Sequence, residues 1–310
     1  MKIMSSIRLY VLCIVLLSSL TSGSVTFAGD STFVRHQDVI YGYKYGMALI
    51  MDVFSPKNPN GKGVIWIISG SGQSSRDKIK EQRFAGFLDK GYCVFVVMHS
   101  SEPRFNLQDM VADVYLAVRY IRFHAADYQI DGERLGIMGA SAGGYLALMA
   151  GLNGDSGCAD SNDPVQQTPN KVKAVACFFS PTDWLNFGEK GMNFIDFQLE
   201  HYGKIGPSFV FYGDKKGEGQ YKPVEDREQI LAILKELSPI THVSKDDPAT
   251  LIIHGELDPF IPFQQGESLY NQLKEAGVET QFILRKGKTH GWKGWEEDIK
   301  LVVDWFDKHL

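Results

Sequence analysis

The chain has 310 residues, 37 acidic side chains against 32 basic, and a formal net charge of −5. No basic run breaks that balance, which argues against nucleic acid or an anionic membrane surface as a partner. The length suits one large α/β domain or two small ones, with ample core.

The first stretch reads as a targeting segment. Lys2 and Arg8 lead into an apolar run over residues 9–20, and a small-residue tail ends at Thr26, Phe27 and Ala28. Thr26 and Ala28 supply the small side chains a signal peptidase reads, so cleavage is expected after Ala28. The apolar run is short for a spanning helix, and no membrane span is expected in the mature chain. Residues 29–310 then form a secreted or periplasmic domain. They keep Cys93, Cys158 and Cys177. Cys93 and Cys177 lie in apolar runs and read as buried thiols, whereas Cys158 lies in a polar loop and could pair with one of them. The odd count is not a disulfide framework, and no Cys/His spacing suggests zinc.

Residues 34–54 predict two strands joined by Tyr41-Gly-Tyr-Lys-Tyr-Gly46, an antiparallel lead-in. Residues 63–69 are continuously apolar, as in a strand buried on both faces, and a Ser/Gly loop follows at 69–72. A helix over 83–89 closes at Gly91, and a second buried strand covers 92–98. Residues 106–127 show helical spacing of Met110, Val111, Val114, Ala117 and Ile121. An apolar strand ends at Met138, and an apolar helix begins after Ser141. A polar loop spans 152–171 and a further strand 172–179. Residues 184–237 break the rhythm: they are rich in Gly and aromatics, and only 227–237 reads clearly as helix. This segment is expected to be a lid-like insertion over the strand ends. A strand at 250–254, a helix at 263–276 ended by Gly277, a strand at 280–284 and a helix at 295–309 complete the chain. Strands alternating with helices predict a mostly parallel central sheet wrapped on both faces.

Sites on such a sheet form where strands end. Gly139, Ala140, Ser141, Ala142 and Gly143 place a serine at a strand-to-helix turn, with glycines two before and two after it. That is the pattern of a strained turn that exposes a nucleophilic hydroxyl. Asp258 follows the strand 250–254, and His290 follows the last strand. A neutral imidazole beside a serine can take its proton and return it to a leaving group, while a carboxylate on the far ring nitrogen fixes the tautomer. The order Ser141, Asp258, His290 is that of α/β-hydrolases. Asp183 and Glu256 stay open as rival acids, and His254 reads as structural. The Ala142 amide and one from Ser71 or Gly70 are the expected oxyanion donors. Such chemistry implies no metal and no cofactor.

Further segments carry a family resemblance: Ile50-Met-Asp-Val-Phe-Ser-Pro56, Ser101-Glu-Pro-Arg-Phe105, Met110-Val-Ala-Asp-Val114, Ala117-Val-Arg-Tyr-Ile-Arg122, Gly139-Ala-Ser-Ala-Gly-Gly144 and Ser180-Pro-Thr-Asp183, together with the Asp258 and His290 loops. With these the chain resembles secreted carboxylesterases of the α/β-hydrolase fold, the feruloyl-esterase-like branch near the prolyl-oligopeptidase catalytic domain. The resemblance implies hydrolysis of carboxylic esters, small or polysaccharide-linked, with Ser141, Asp258 and His290 as triad. Trp184 and Trp292 are then expected to wall the acyl or aryl pocket. Where that family usually reads His-Gly-Gly-Gly, this chain has Ser69, Gly70, Ser71 and Gly72. A prolyl-oligopeptidase-type peptidase and a non-catalytic binding protein are the competing classes.

Overall fold

The computed structural model describes residues 32–214 and 221–310. The expected signal segment, 1–28, lies outside the described residues. Two strands form an antiparallel hairpin, β1 (Phe33–Lys44) and β2 (Met47–Pro56). Its turn is tighter than the predicted six-residue link: Tyr45 and Gly46 both take positive φ, 47° and 77°, and β1 runs on to Lys44. Positive φ at both central residues suits a two-residue hairpin that follows strand twist.

The central elements are β3 (Gly63–Ile68), α1 (Ala85–Asp89), β4 (Cys93–Met98), α2 (Leu107–Phe123), β5 (Leu135–Ala140), α3 (Ala142–Leu152), α4 (Pro164–Gln167) and β6 (Ala174–Phe178). β3, β4 and β6 are buried along their whole length, as their unbroken apolar runs require in a sheet covered on both faces. α2 starts on a capping box in which Asn106 and Asp109 satisfy each other's backbone N–H. It ends at Phe123, four residues before the predicted end. Gln129 takes φ +55°, and the Ile130 amide folds back onto the Ala125 carbonyl, so the chain leaves the helix in successive turns.

The insertion is more ordered than its composition suggests. It holds α5 (Phe194–Tyr202), a hairpin of β7 (Tyr212–Asp214) and β8 (Tyr221–Pro223), and α6 (Arg227–Glu236). α5, absent from the sequence reading, is capped by Asn193 and closed by Gly203 at φ +66°. Trp184, Phe187, Phe194, Phe197 and Phe209 form one aromatic cluster, with Phe187 and Phe194 centroids 4.5 Å apart. This packing ties the insertion to the main core. The chain closes with β9 (Ala249–Gly255), α7 (Gln264–Glu275), β10 (Thr280–Arg285) and α8 (Ile299–His309).

The sheet order is β1-β2-β4-β3-β5-β6-β9-β10. The β1–β2 and β2–β4 pairs are antiparallel and all later pairs parallel. This is the expected α/β-hydrolase arrangement. One core lies under α2, α3 and α7, and a second under α1 and α8. Cys93 and Cys177 are buried, Cys158 is exposed, and all three are free. Burial pushes both inner thiols up to about 12. No helix among the described residues is long and apolar enough to cross a membrane.

Phe306 is fully buried beneath the sheet, and a Cβ at Gly136 would lie 3.0 Å from its ring. The ring therefore fills the space over Gly136, which has no side chain of its own. Phe306→Ala is expected to cost about 3–5 kcal/mol, read as a lower midpoint in urea unfolding.

Candidate active site

β5 passes into α3 through one residue, Ser141, at φ 53° and ψ −123°. An L-residue held at such a turn stores on the order of 1–3 kcal/mol of backbone strain. The surrounding glycines follow from crowding. A Cβ at Gly139 would lie 2.4 Å from the Gly143 carbonyl, one at Gly143 would lie 2.6 Å from the Ile67 oxygen, and one at Gly144 would lie 2.0 Å from Ser180 Oγ. α3 can thus sit directly on β3 and β6. The Ser141 N–H donates to the Phe178 carbonyl at 2.8 Å, which locks the turn to the next strand. The hydroxyl is left facing a cleft.

His290 Nε2 lies 3.0 Å from Ser141 Oγ, and its Nδ1 lies 2.7 Å from Asp258 Oδ2. An ionised carboxylate only accepts, so Nδ1 is the donor; the neutral ring then offers the Nε2 lone pair to the serine proton. The ring is held on both sides. Phe179 meets it at 4.7 Å and Phe260 at 5.6 Å between centroids, each close to edge-on. Phe179 itself takes φ +39° at the end of β6. The sequence reading gave neither phenylalanine a role. Phe260, two residues past the acid, was the more findable of the two.

Asp258 closes a turn and faces the histidine with the same carboxylate. Its Oδ1 accepts the Phe260 and Ile261 amides, each at 2.9 Å. The fully buried His254 lies 3.5 Å away and gives its own Nε2 bond to the Ile261 carbonyl at 2.9 Å. Burial pushes the Asp258 carboxyl up. The His254 ring, His290 and the two amides outweigh it and hold the group well below the usual carboxylate range. The rival acids are occupied elsewhere. Asp183 accepts the Leu185 and Asn186 amides and the Asn186 side chain. Glu256 accepts the Gly287 amide at 2.8 Å, joining the two loops that carry Asp258 and His290.

The cleft at Ser141 has a volume of about 410 Å³. Tyr145, Trp184, Phe194, Phe209 and Phe260 make its aromatic wall, and Glu102 is its one carboxylate. A second cleft of about 370 Å³ also reaches Ser141, bounded by Phe179, Trp295, Lys78 and Lys80. Trp184 is where it was expected. Trp292 is not: it is buried in the second core, edge-on to Phe179 at 5.6 Å, so it supports the histidine's neighbour and lines neither cleft at Ser141. Among the expected amide donors, Ala142 and Ser71 line the larger cleft. The Ala142 N–H opens α3, where no intrahelical acceptor exists. Gly70 does not fit: its N–H is spent on the Gln73 carbonyl at 2.9 Å. Among the described residues, no group of three or more His, Cys, Asp or Glu side chains is placed to hold a metal ion.

Residues 51–273 match the model of the BD-FAE family. The chain is 28% identical over 201 residues to Esterase LipQ of Mycobacterium tuberculosis, covering 62% of this chain and 41% of that protein. It is 23% identical over 257 residues to the probable carboxylic ester hydrolase LipM of the same organism, covering 80% and 53%. The chain thus spans about half the length of these curated relatives. Among solved structures, it resembles a truncated carbohydrate esterase from gut microbiota with a TM-score of 0.72 and 26% identity, over 91% of this chain and 98% of that one. An acetyl ester-xyloside bifunctional hydrolase from Caldicellulosiruptor lactoaceticus shares the fold, with a TM-score of 0.66 and 19% identity over 86% and 90%. With most of its length inside the matched region, the strained turn at Ser141 and the Asp258 loop included, the chain belongs to the BD-FAE family of α/β-hydrolases.

Proposed function

We propose that the protein is a secreted serine hydrolase of carboxylic esters, with Ser141 as nucleophile, His290 as general base and acid, and Asp258 as the group that orients the imidazole. The observation that carries this reading is His290 bridging the other two, 3.0 Å from the hydroxyl and 2.7 Å from the carboxylate. In this mechanism Nε2 takes the Ser141 proton as Oγ attacks the ester carbonyl. The carbonyl oxygen becomes an oxyanion facing the Ala142 and Ser71 amides. The C–O bond to the alcohol then breaks, and the imidazolium returns the proton to that oxygen. Water repeats the sequence on the acyl-enzyme and frees the acid. A carboxylate held ionised by burial-compensating donors is suited to this work, because it stabilises the imidazolium without taking its proton.

Two clefts that both reach Ser141 suit a substrate with two halves. The aromatic wall favours an apolar or aryl group in the larger cleft. A carbohydrate-linked alcohol is the favoured other half, supported by the resemblance to the gut-microbiota carbohydrate esterase. The apolar run before Ala28 supports export.

The reading is tested with a fluorophosphonate probe and a substrate panel of p-nitrophenyl esters, methyl ferulate and a prolyl amide. Labelling at Ser141 and ester turnover well above amide turnover are expected. Ser141→Ala should keep its melting temperature and lose ester turnover by several orders of magnitude. Absent labelling would point to a binding protein, and dominant amide turnover to a peptidase. Asp258→Asn should lower kcat by about 10⁴-fold, because the amide favours the wrong imidazole tautomer. The same variant has a stability signature. The folded carboxyl is held low, so its contribution is complete above about pH 4, the range of a free aspartate, and drains as pH falls further. Wild-type stability relative to Asp258→Asn in urea should therefore decline below about pH 4; a difference independent of pH would contradict this.

A further inference from the structure

The loop that faces Ser141 departs from the family pattern at the residue from which the second oxyanion donor is expected. Gly70 and Gln73 exchange two backbone bonds, at 2.9 and 3.0 Å, and leave Ser71 and Gly72 as the tip of a tight turn. Both tip residues are left-handed, at φ 50° and 71°. Glycine accepts that conformation without cost, whereas serine does so only under constraint. Something must therefore hold the tip, and the contacts around Gly72 show what does.

The Gly72 carbonyl accepts the Glu102 N–H at 3.1 Å. The Glu102 carboxylate in turn accepts two bonds from Ser208, from its amide at 3.2 Å and from its hydroxyl at 2.5 Å. A Cβ on Gly72 would lie 2.4 Å from Ser208 Oγ and 3.1 Å from Glu102 Oε2, so the tip is pressed against this pair. On the other flank the Ser74 amide donates to Ser101 Oγ at 2.9 Å. Ser208 is buried, and the next residue, Phe209, sits in the aromatic cluster beside Trp184 and Phe194. The insertion is thus joined through one serine and one carboxylate to the loop opposite the nucleophile.

We propose that Glu102 and Ser208 are positioning residues that fix the Ser71 amide for the oxyanion, so that the insertion completes the oxyanion hole as well as walling the cleft. The proposal rests on the esterase reading above. An oxyanion donor is effective only if it is already aimed when charge develops on the carbonyl oxygen. Ser71 has no glycine's ease at φ 50°, so the outer contacts supply the aim.

The test uses p-nitrophenyl acetate, whose acyl group is too small to need the aromatic wall. Ser208→Ala and Glu102→Ala are each expected to lower kcat by about 10- to 100-fold, short of the ~10²–10³ that deleting a donor costs. KM should stay within about twofold, as for an interaction made only in the transition state. Phosphorylation by diethyl p-nitrophenyl phosphate should slow by the same factor, since it builds charge on an oxygen in the same place. The double variant should lose no more than the worse single one, because both act through one link. Glu102→Gln keeps an acceptor for the Ser208 hydroxyl and should recover most of the loss seen in Glu102→Ala. A wall that is merely loosened would instead raise KM for bulky esters and leave kcat for the acetate intact, which would overturn the proposal; additive losses would do the same. Melting temperatures show that each variant compared is folded, and with two single variants the comparison survives the failure of one. Ser141→Ala separates the levels. If it is inactive while Ser208→Ala and Glu102→Ala keep full kcat, only the positioning role falls; if it stays active, the esterase reading falls and takes the proposal with it.

Discussion

The turn at Ser141 is the constraint on which the rest of the molecule depends. A non-glycine residue at φ 53° and ψ −123° persists only if its neighbours leave it no alternative. α3 supplies that pressure: every residue from Gly143 to Leu152 is buried. Burying Leu146, Leu148 and Met149 alone contributes on the order of 1.5–3 kcal/mol each, more than the strain costs. The three glycines let the helix approach β3 and β6 closely enough for that burial to occur. The apolar character of the helix and the smallness of the turn are therefore one requirement seen from two sides.

The same logic explains which parts of the site are legible in the sequence. Ser141, Asp258 and His290 could be found because each lies just past an apolar strand, and strand ends in a parallel sheet converge. That convergence depends on order and spacing, which a sequence carries. Trp292 lies two residues from His290 in the chain, yet it lines neither cleft at Ser141; it packs edge-on against Phe179 in the second core. Gly70 lost its donor role to a reciprocal pair with Gln73, a contact of three residues' span that composition does not announce. α5 escaped because its apolar residues face an aromatic cluster drawn from three separate segments, so no single periodicity marks them. Glu102 was visible as part of a matching segment, but its partner Ser208 stands 106 positions away.

Position in the fold also separates the carboxylates that the sequence left in competition. Asp183, Glu256 and Asp258 all follow strands. Each has found amides to accept, as buried or half-buried carboxylates must. What distinguishes Asp258 is a second oxygen left over for a histidine after the turn's amides have been satisfied by the first. Asp183 spends both of its oxygens on the start of the insertion. Counting acceptor sites thus explains why Asp258, and neither Asp183 nor Glu256, faces His290. His254 completes the arrangement: its Nε2 binds the Ile261 carbonyl at 2.9 Å, which keeps the loop closed, and lies 3.5 Å from the Asp258 oxygen that faces His290.

The insertion is fastened to the rest of the molecule at more than one point. Its aromatic residues bury one another and one wall of the cleft, while Tyr145 on α3 donates to the Leu237 carbonyl at 2.9 Å. One end of the insertion is thus fastened to the helix that begins after Ser141. Its middle is fastened by Ser208 to Glu102, and through Glu102 to Gly72. The insertion thus contacts both α3, which begins after Ser141, and the Ser71–Gly72 turn, although these segments lie far apart in the chain. Serine in place of glycine at the tip of the loop is tolerable on these terms, because the conformation that glycine would adopt freely is here imposed from outside. A family's loop sequence can drift in this way as long as another segment takes over the task of holding it.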